Sequence, residues 1–165
     1  VPSERGWASE GRPALAEGWR SFVEYNRHSG RLAVGNQLGE SIEIYNTKEN
    51  THTVLYGPNG EPRFKSIKGE GFPTGIMGFS DIVITDKYIY SVFQGIRFKD
   101  KLASYQRGEK PEDGGRYIYV FDLKGNPIQK YTLDKPIYGI DINEKTKTVI
   151  ATCVESDEPI MEFKI

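Results

Sequence analysis

The chain has 165 residues, 37% of them hydrophobic and 12% aromatic, and a formal net charge of −1 at pH 7. This length suits one domain with its own core, and the aromatic content with balanced charge excludes a disordered chain. The same balance leaves no basic stripe to neutralise a phosphate backbone, so we expect no nucleic acid partner. No segment approaches the ~20 consecutive apolar residues that a membrane-spanning helix requires. Cys153 is the single cysteine and cannot form an internal disulfide.

The chain begins with a segment that has no hydrophobic period, residues 1–18. Proline and glycine interrupt it at Pro2, Gly6, Gly11, Pro13 and Gly18. Both residue types punctuate regular structure, so this segment is predicted to be an irregular lead-in. Because the chain starts at Val1 rather than Met, we also expect it to belong to a longer parent protein.

Residues 19–56 are predicted to form four short strands. Residues 41–45 read Ser-Ile-Glu-Ile-Tyr, and this alternation of polar and apolar side chains is typical of a half-buried strand. A turn over residues 27–30 separates the first two strands, and the fourth strand is expected over residues 51–56. Together these strands predict one antiparallel four-stranded sheet.

A second set of four strands is predicted within residues 77–133. The first two strands flank a two-residue turn at Asp86, and the last two flank a turn at Gly125. Glycine at such a turn adopts positive φ without steric cost, which is a good signal for a hairpin. A long connection separates the second strand from the third.

A third set, within residues 137–165, contains three predicted strands and no fourth, outer one. Strands in three similar groups indicate an array of small antiparallel sheets, most often the blades of a β-propeller. The expected fold is therefore all-β, with residues 19–165 forming a partial propeller. Three blades do not close a ring, so this chain is either part of a longer propeller or self-associates through the open edge of its last blade.

Two motifs carry a resemblance to a known family. The hairpin over residues 121–128 reads Phe-Asp-Leu-Lys-Gly-Asn-Pro-Ile, and residues 140–143 and 148–152 precede a closing Ile-x-x-Phe-x-Ile. These motifs resemble blades of the TolB-like and NHL-like six-bladed propellers of Bacteroidetes-type bacteria. The resemblance covers residues 19–165 and implies the C-terminal half of such a propeller. It also implies an exported protein, periplasmic or at the cell surface, with a lipid anchor outside this chain.

The two longest connections, residues 57–76 and 94–115, are expected on the same face of the propeller. In an up-and-down blade, alternate connections emerge on alternate faces, and both of these have the same parity. Long loops on a rigid scaffold often carry binding residues.

The candidate binding residues are the arginines, lysines and aromatic residues of these two connections. Arginine and aromatic side chains are frequent anchors of interfaces. The first connection offers Arg63, Phe64, Lys65 and Phe72, and the second offers Arg97, Phe98, Lys101, Tyr105 and Arg107. Their mixed charge favours a protein or glycan ligand over a polyanion. The alternative is that the charges are merely solvated and the phenylalanines hold the loops to the disc.

Asp81 and Asp141 are the candidate metal ligands, because both fall at similar places in inner strands. Glu24 would be their counterpart in the first blade. A calcium site in the central channel would need six to eight converging oxygens. No Gly-x-Ser-x-Gly or His-Glu-x-x-His pattern is present, so no catalytic residue is assigned.

From these observations we expect a non-enzymatic binding or scaffold module of the bacterial cell envelope, without a cofactor. The alternative is a metal-dependent, lactonase-like hydrolase with a divalent ion, such as calcium, in the channel.

Overall fold

The computed structural model describes residues 11–165. Residues 1–10 of the expected lead-in lie outside this range, whereas Arg12–Gly18 form helix α1 and are not irregular. Pro13 occupies the first turn of α1, where a missing N–H leaves no hydrogen bond unmade. Alanine, leucine and glutamate follow, and all three favour a helix. The prolines and glycines that predicted an irregular segment therefore bound a helix.

The first blade is a four-stranded antiparallel meander, in agreement with the predicted strands. Its strands, from the propeller axis outwards, are β1 (Ser21–Asn26), β2 (Arg31–Asn36), β3 (Ser41–Asn46) and β4 (Thr51–Tyr56). Glu24, Ala33 and Ile44 are register partners and share the face that is turned towards the second blade.

The connection after the first blade contains an unpredicted hairpin, β5 (Phe64–Ile67) and β6 (Glu70–Pro73). Its two turn residues, Lys68 and Gly69, have φ values of 53° and 86°. Two consecutive positive φ angles match the twist of a tight hairpin, and lysine is a poor signal for this conformation. The hairpin packs on α1.

The second blade is also an antiparallel meander, ordered from the axis outwards as β7, β8, β9 and β10. Its bounds are β7 (Phe79–Ile84), β8 (Tyr88–Phe93), β9 (Gly115–Asp122) and β10 (Pro127–Ile137). Helix α2 (Phe98–Gln106), which was not predicted, lies in the long connection. Strand β10 extends beyond the predicted end at residue 133.

The third blade contains β11 (Ile140–Asn143), β12 (Thr148–Thr152) and β13 (Ile160–Lys164). Within residues 11–165 no fourth strand joins this sheet. The inner strands β1, β7 and β11 contact one another in sequence around the axis. The fold is therefore a partial β-propeller of three blades, as predicted.

Two apolar layers hold the blades together. The layer between the first and second blades includes Ala33, Ile44, Ile82, Ile84, Ile89 and Phe93. The layer between the second and third blades includes Val92, Ile118, Val120, Ile140, Val149 and Ala151. Each strand contributes alternate residues to the two faces, so the middle blade is apolar on both sides.

No helix within residues 11–165 combines the length and apolar character needed to cross a bilayer.

Candidate binding face

The two long connections meet on one side of the blades. The Phe98 N–H donates to the Gly75 carbonyl at 3.0 Å, and the Met77 N–H donates to the Ile96 carbonyl at 2.7 Å. Ile76 and Arg97 form an isolated antiparallel bridge between them. Backbone hydrogen bonds therefore fix the first connection against the second.

A polar cleft of about 430 Å³ opens where they meet, and we call it the insertion cleft. Arg63 and Thr74 line it from the first connection, and Arg97 and Lys99 line it from the second. Two of these four, Arg63 and Arg97, are candidates from the sequence. Lys99 was not among those candidates, although its place two residues after Arg97 at the start of α2 is what brings it to the cleft.

The insertion cleft is cationic. Arg63, Arg97 and Lys99 are exposed, and none forms an ion pair with any residue in the part of the chain that the structure describes. Glu61 is the acidic residue in the lining, and its Oε1 accepts a hydrogen bond from the Tyr56 hydroxyl at 3.0 Å. Burial and this hydrogen bond raise the pKa of Tyr56. Three cations thus face one carboxylate that already has a donor.

Two other cationic candidates are engaged elsewhere. Lys101 Nζ lies 3.3 Å from Asp113 Oδ1, and the Arg107 guanidinium lies 2.7 Å from Glu109 Oε2. The hydrogen bond to Glu109 raises the pKa of Arg107 and lowers that of Glu109. These ion pairs hold α2 and the chain that follows it, so Lys101 and Arg107 shape the second connection.

The aromatic candidates divide between packing and exposure. The Phe64 ring lies against Gly18, so closely that a Cβ on that glycine would be 2.1 Å from it. Phe72 and Phe98 line a second groove of about 510 Å³ beside α1, where Phe72 is 43% exposed. Lys65 pairs with Phe72 in the hairpin and is exposed, as is Tyr105 on α2.

The carboxylates of the inner strands bind backbone amides of neighbouring residues. Asp81 Oδ1 accepts from the Ile82 N–H at 2.8 Å, and its Oδ2 accepts from the Ile140 N–H of the third blade at 2.8 Å. Glu24 Oε2 accepts from the Ile84 N–H of the second blade at 2.6 Å. These contacts join successive blades, a role that sequence reasoning did not assign to them.

Burial raises the pKa values of both Glu24 and Asp81. The bonds from backbone amides oppose this shift, and the nearby charges of Asp81 and Asp141 add to it at Glu24. Among residues 11–165, no group of three or more His, Cys, Asp or Glu side chains is arranged to hold a metal ion. A calcium site at Asp81 and Asp141 stays a prediction.

Sequence reasoning also missed a polar cluster on the first blade. Glu43 Oε2 accepts from the Tyr45 hydroxyl at 2.5 Å and lies 3.0 Å from His52 Nε2. The Tyr45 and His52 rings stack with centroids 4.1 Å apart, and burial together with Glu43 raises the pKa of Tyr45 to about 12. Tyr45 and His52 are register partners on neighbouring strands, a pairing that the predicted strands alone would have allowed us to find.

The blades, with a cleft built from inter-strand connections, define a propeller of the loop-face binding type. The family model described as "TolB-like 6-blade propeller-like" matches residues 5–145, and the chain belongs to this family.

Solved structures agree with the fold. The β-propeller domain of Cps50 (Swd1) from Myceliophteria thermophila is 16% identical, with a TM-score of 0.50 over 88% of this chain and 38% of that one. Hsv2 from Kluyveromyces lactis is 14% identical, with a TM-score of 0.43 over 88% and 33% of the two chains. At these identities the likeness concerns the fold alone, and this chain spans well under half of either structure. The comparison with curated proteins gave no match.

Proposed function

We propose that this chain is a non-enzymatic binding module that holds an acidic segment of a protein partner in the insertion cleft. The observation that carries the proposal is the set of three cations, Arg63, Arg97 and Lys99, that line one cleft without an ion-pair partner among the described residues. Such a concentration of like charge is electrostatically unfavourable by itself and attracts carboxylates.

The chemistry of the cleft fits carboxylate recognition. A guanidinium presents a planar fork of N–H donors that matches both oxygens of a carboxylate, and two arginines face the same space here. Backbone hydrogen bonds already order both connections, so less conformational entropy is lost when a ligand binds.

A protein ligand is favoured over an acidic glycan by the neighbouring aromatic groove. Phe98 lies between Arg97 and Lys99 in sequence but lines the groove that contains the exposed Phe72. Cations beside exposed aromatic rings are the usual composition of a protein interface. A peptide that carries acidic and apolar residues would engage both surfaces.

We place this module in the bacterial cell envelope, as an exported protein anchored through a segment outside this chain. The support is the resemblance of its blade motifs to propellers of exported lipoproteins. The alternative of a metal-dependent hydrolase has less support, because both oxygens of Asp81 accept backbone N–H groups.

The test is binding of a fluorescein-labelled hexaglutamate peptide, followed by fluorescence anisotropy over a salt series. We expect the double variant Arg63→Glu/Arg97→Glu to weaken binding by at least about tenfold, because two attractive charges become repulsive. Binding to the unmodified protein should weaken as salt increases.

The matched control is Arg107→Glu, which reverses an equally exposed arginine that is paired with Glu109. We expect this change to alter peptide affinity by less than about twofold. Equal losses in the two variants would contradict a specific cleft. Tighter binding of oligogalacturonate than of the peptide would replace the protein ligand with an acidic glycan.

A further inference from the structure

The chain carries a repeated contact between successive blades, and its third copy has no partner. We call the face of each sheet that is turned towards the next blade its forward face, and the opposite one its rear face. On each forward face an inner-strand carboxylate begins a row of register partners. The rows are Glu24–Ala33–Ile44, Asp81–Val92–Ile118 and Asp141–Ile150–Glu162.

The first two rows are covered by the following blade. Ala33 and Val92 are fully buried, and each carboxylate accepts a backbone N–H from the next inner strand. A charge-assisted bond of this kind, beside an apolar layer, fixes the position of one blade against the next. The pattern therefore describes what a forward face binds.

The third row has the same local geometry but is uncovered. Asp141 Oδ1 accepts from the Ile142 N–H at 2.9 Å, as Asp81 Oδ1 does from Ile82. Asp141 Oδ2, the counterpart of the Asp81 oxygen that reaches the next blade, accepts no hydrogen bond from any residue between 11 and 165. Ile150 is 45% exposed and Ile160, on the same face, is 63% exposed.

The rear face of the first blade is the complementary surface. In the second blade, Ile82 and Ile84 on the rear face receive the preceding blade. The corresponding rear face of the first blade presents Val23 and Tyr25, which are 59% and 51% exposed. The chain thus has an open forward face at one end and an open apolar rear face at the other.

We propose that a second copy of this chain docks its first blade on the third blade of the first copy, and the reverse. Two head-to-tail contacts between three-bladed chains then close a six-bladed ring, the blade number of the family to which the chain belongs. Closure leaves neither face open. Asp141 Oδ2 accepts a backbone N–H from β1 of the other copy, in continuity with the contacts inside each chain.

The test is the mass of the 165-residue chain by light scattering and sedimentation velocity over a concentration series. We expect twice the 18.7 kDa of one chain, with no growth beyond two copies. Ile150→Glu and Val23→Glu should each reduce the mass to that of one chain, because a charge then faces an apolar layer at both contacts. Asp141→Ala should weaken the dimer by at least about tenfold.

Mixing the two disrupted variants distinguishes this interface from pairing of the open β13 edges. An Ile150→Glu chain keeps a sound rear face and a Val23→Glu chain keeps a sound forward face, so their mixture should form dimers that neither forms alone. The control is Ile128→Glu, because Ile128 is 50% exposed on the outer strand of the middle blade, away from both faces. It should remain dimeric, and circular dichroism should show that every variant is folded.

A single-chain mass for the unmodified protein at every concentration would overturn the proposal, as would species larger than two copies. Persistence of the dimer in folded Ile150→Glu protein would also overturn it.

Discussion

At the scale of single residues, position in the sheet decides what a carboxylate does. Asp81 lies on an inner strand and its burial raises its pKa, whereas Asp86 lies in the following turn. Hydrogen bonds from His28 and Asn26 lower the pKa of Asp86. Two aspartates five positions apart therefore have pKa shifts of opposite sign.

Replacement of Asp81 by Asn should become more favourable as the pH rises. The folded protein holds a proton on Asp81 above the ordinary pKa of 3.8, so ionisation through the raised pKa lowers the free energy of unfolding. Asp81→Asn cannot ionise and escapes that loss. The stability of Asp81→Asn relative to the unmodified protein should increase with pH above 3.8, as measured by urea unfolding.

Asp86→Asn is the control with the opposite sign. Its lowered pKa means that ionised Asp86 stabilises the fold, and this stabilisation is lost as the pH falls through the lowered pKa. The variant should therefore lose stability relative to the unmodified protein as the pH rises. Parallel pH dependences for the two variants would contradict the assignment.

At the scale of elements, α1 and the β5–β6 hairpin depend on a close approach at Gly71. A Cβ on Gly71 would lie 2.7 Å from the Ala14 carbonyl oxygen, and Ala14 is fully buried. Only a residue without a side chain allows the helix and the hairpin to come this close. The contact joins segments that are far apart in sequence, which explains why neither element was predicted.

Gly71→Ala should lower the free energy of unfolding by about 1–3 kcal/mol, because the added methyl group must displace the backbone of α1. Gly11→Ala is a matched control, since the nearest atom to a Cβ there is 3.8 Å away. This second change should stay within about 0.5 kcal/mol of the unmodified protein. Urea unfolding measures both, and equal effects would show that the contact at Gly71 contributes no steric constraint.

The sequence predicted the strands of the three blades well and the two insertions poorly. Alternation in residues 41–45 and the turn at Gly125 are local signals, and both lie in the predicted structures. In contrast, α2 begins at an Arg97 N-cap that makes no side-chain capping bond, and none of its residues is buried. Without a cap or an apolar stripe, a helix has no sequence signature.

At the scale of the whole molecule, the channel distinguishes the proposed module from the alternative hydrolase. Calcium needs several free oxygens, and those of Asp81 and Glu24 that are nearest the next blade accept backbone N–H groups. We expect added calcium, and then EDTA, to change the melting temperature by less than about 1 °C. A rise of several degrees that EDTA reverses would support a channel metal, because a ligand of the folded state stabilises it.

The sequence by itself determined the three-bladed β architecture and the common face of the two long connections. Strand alternation, turn residues and the parity of connections are properties of short segments, so they can be recognised without coordinates. Only the tertiary structure decided that Arg63 and Arg97 share a cleft, that Lys101 and Arg107 are already paired, and that Asp81 joins two blades. These depend on distances between side chains remote in sequence, which local patterns do not encode.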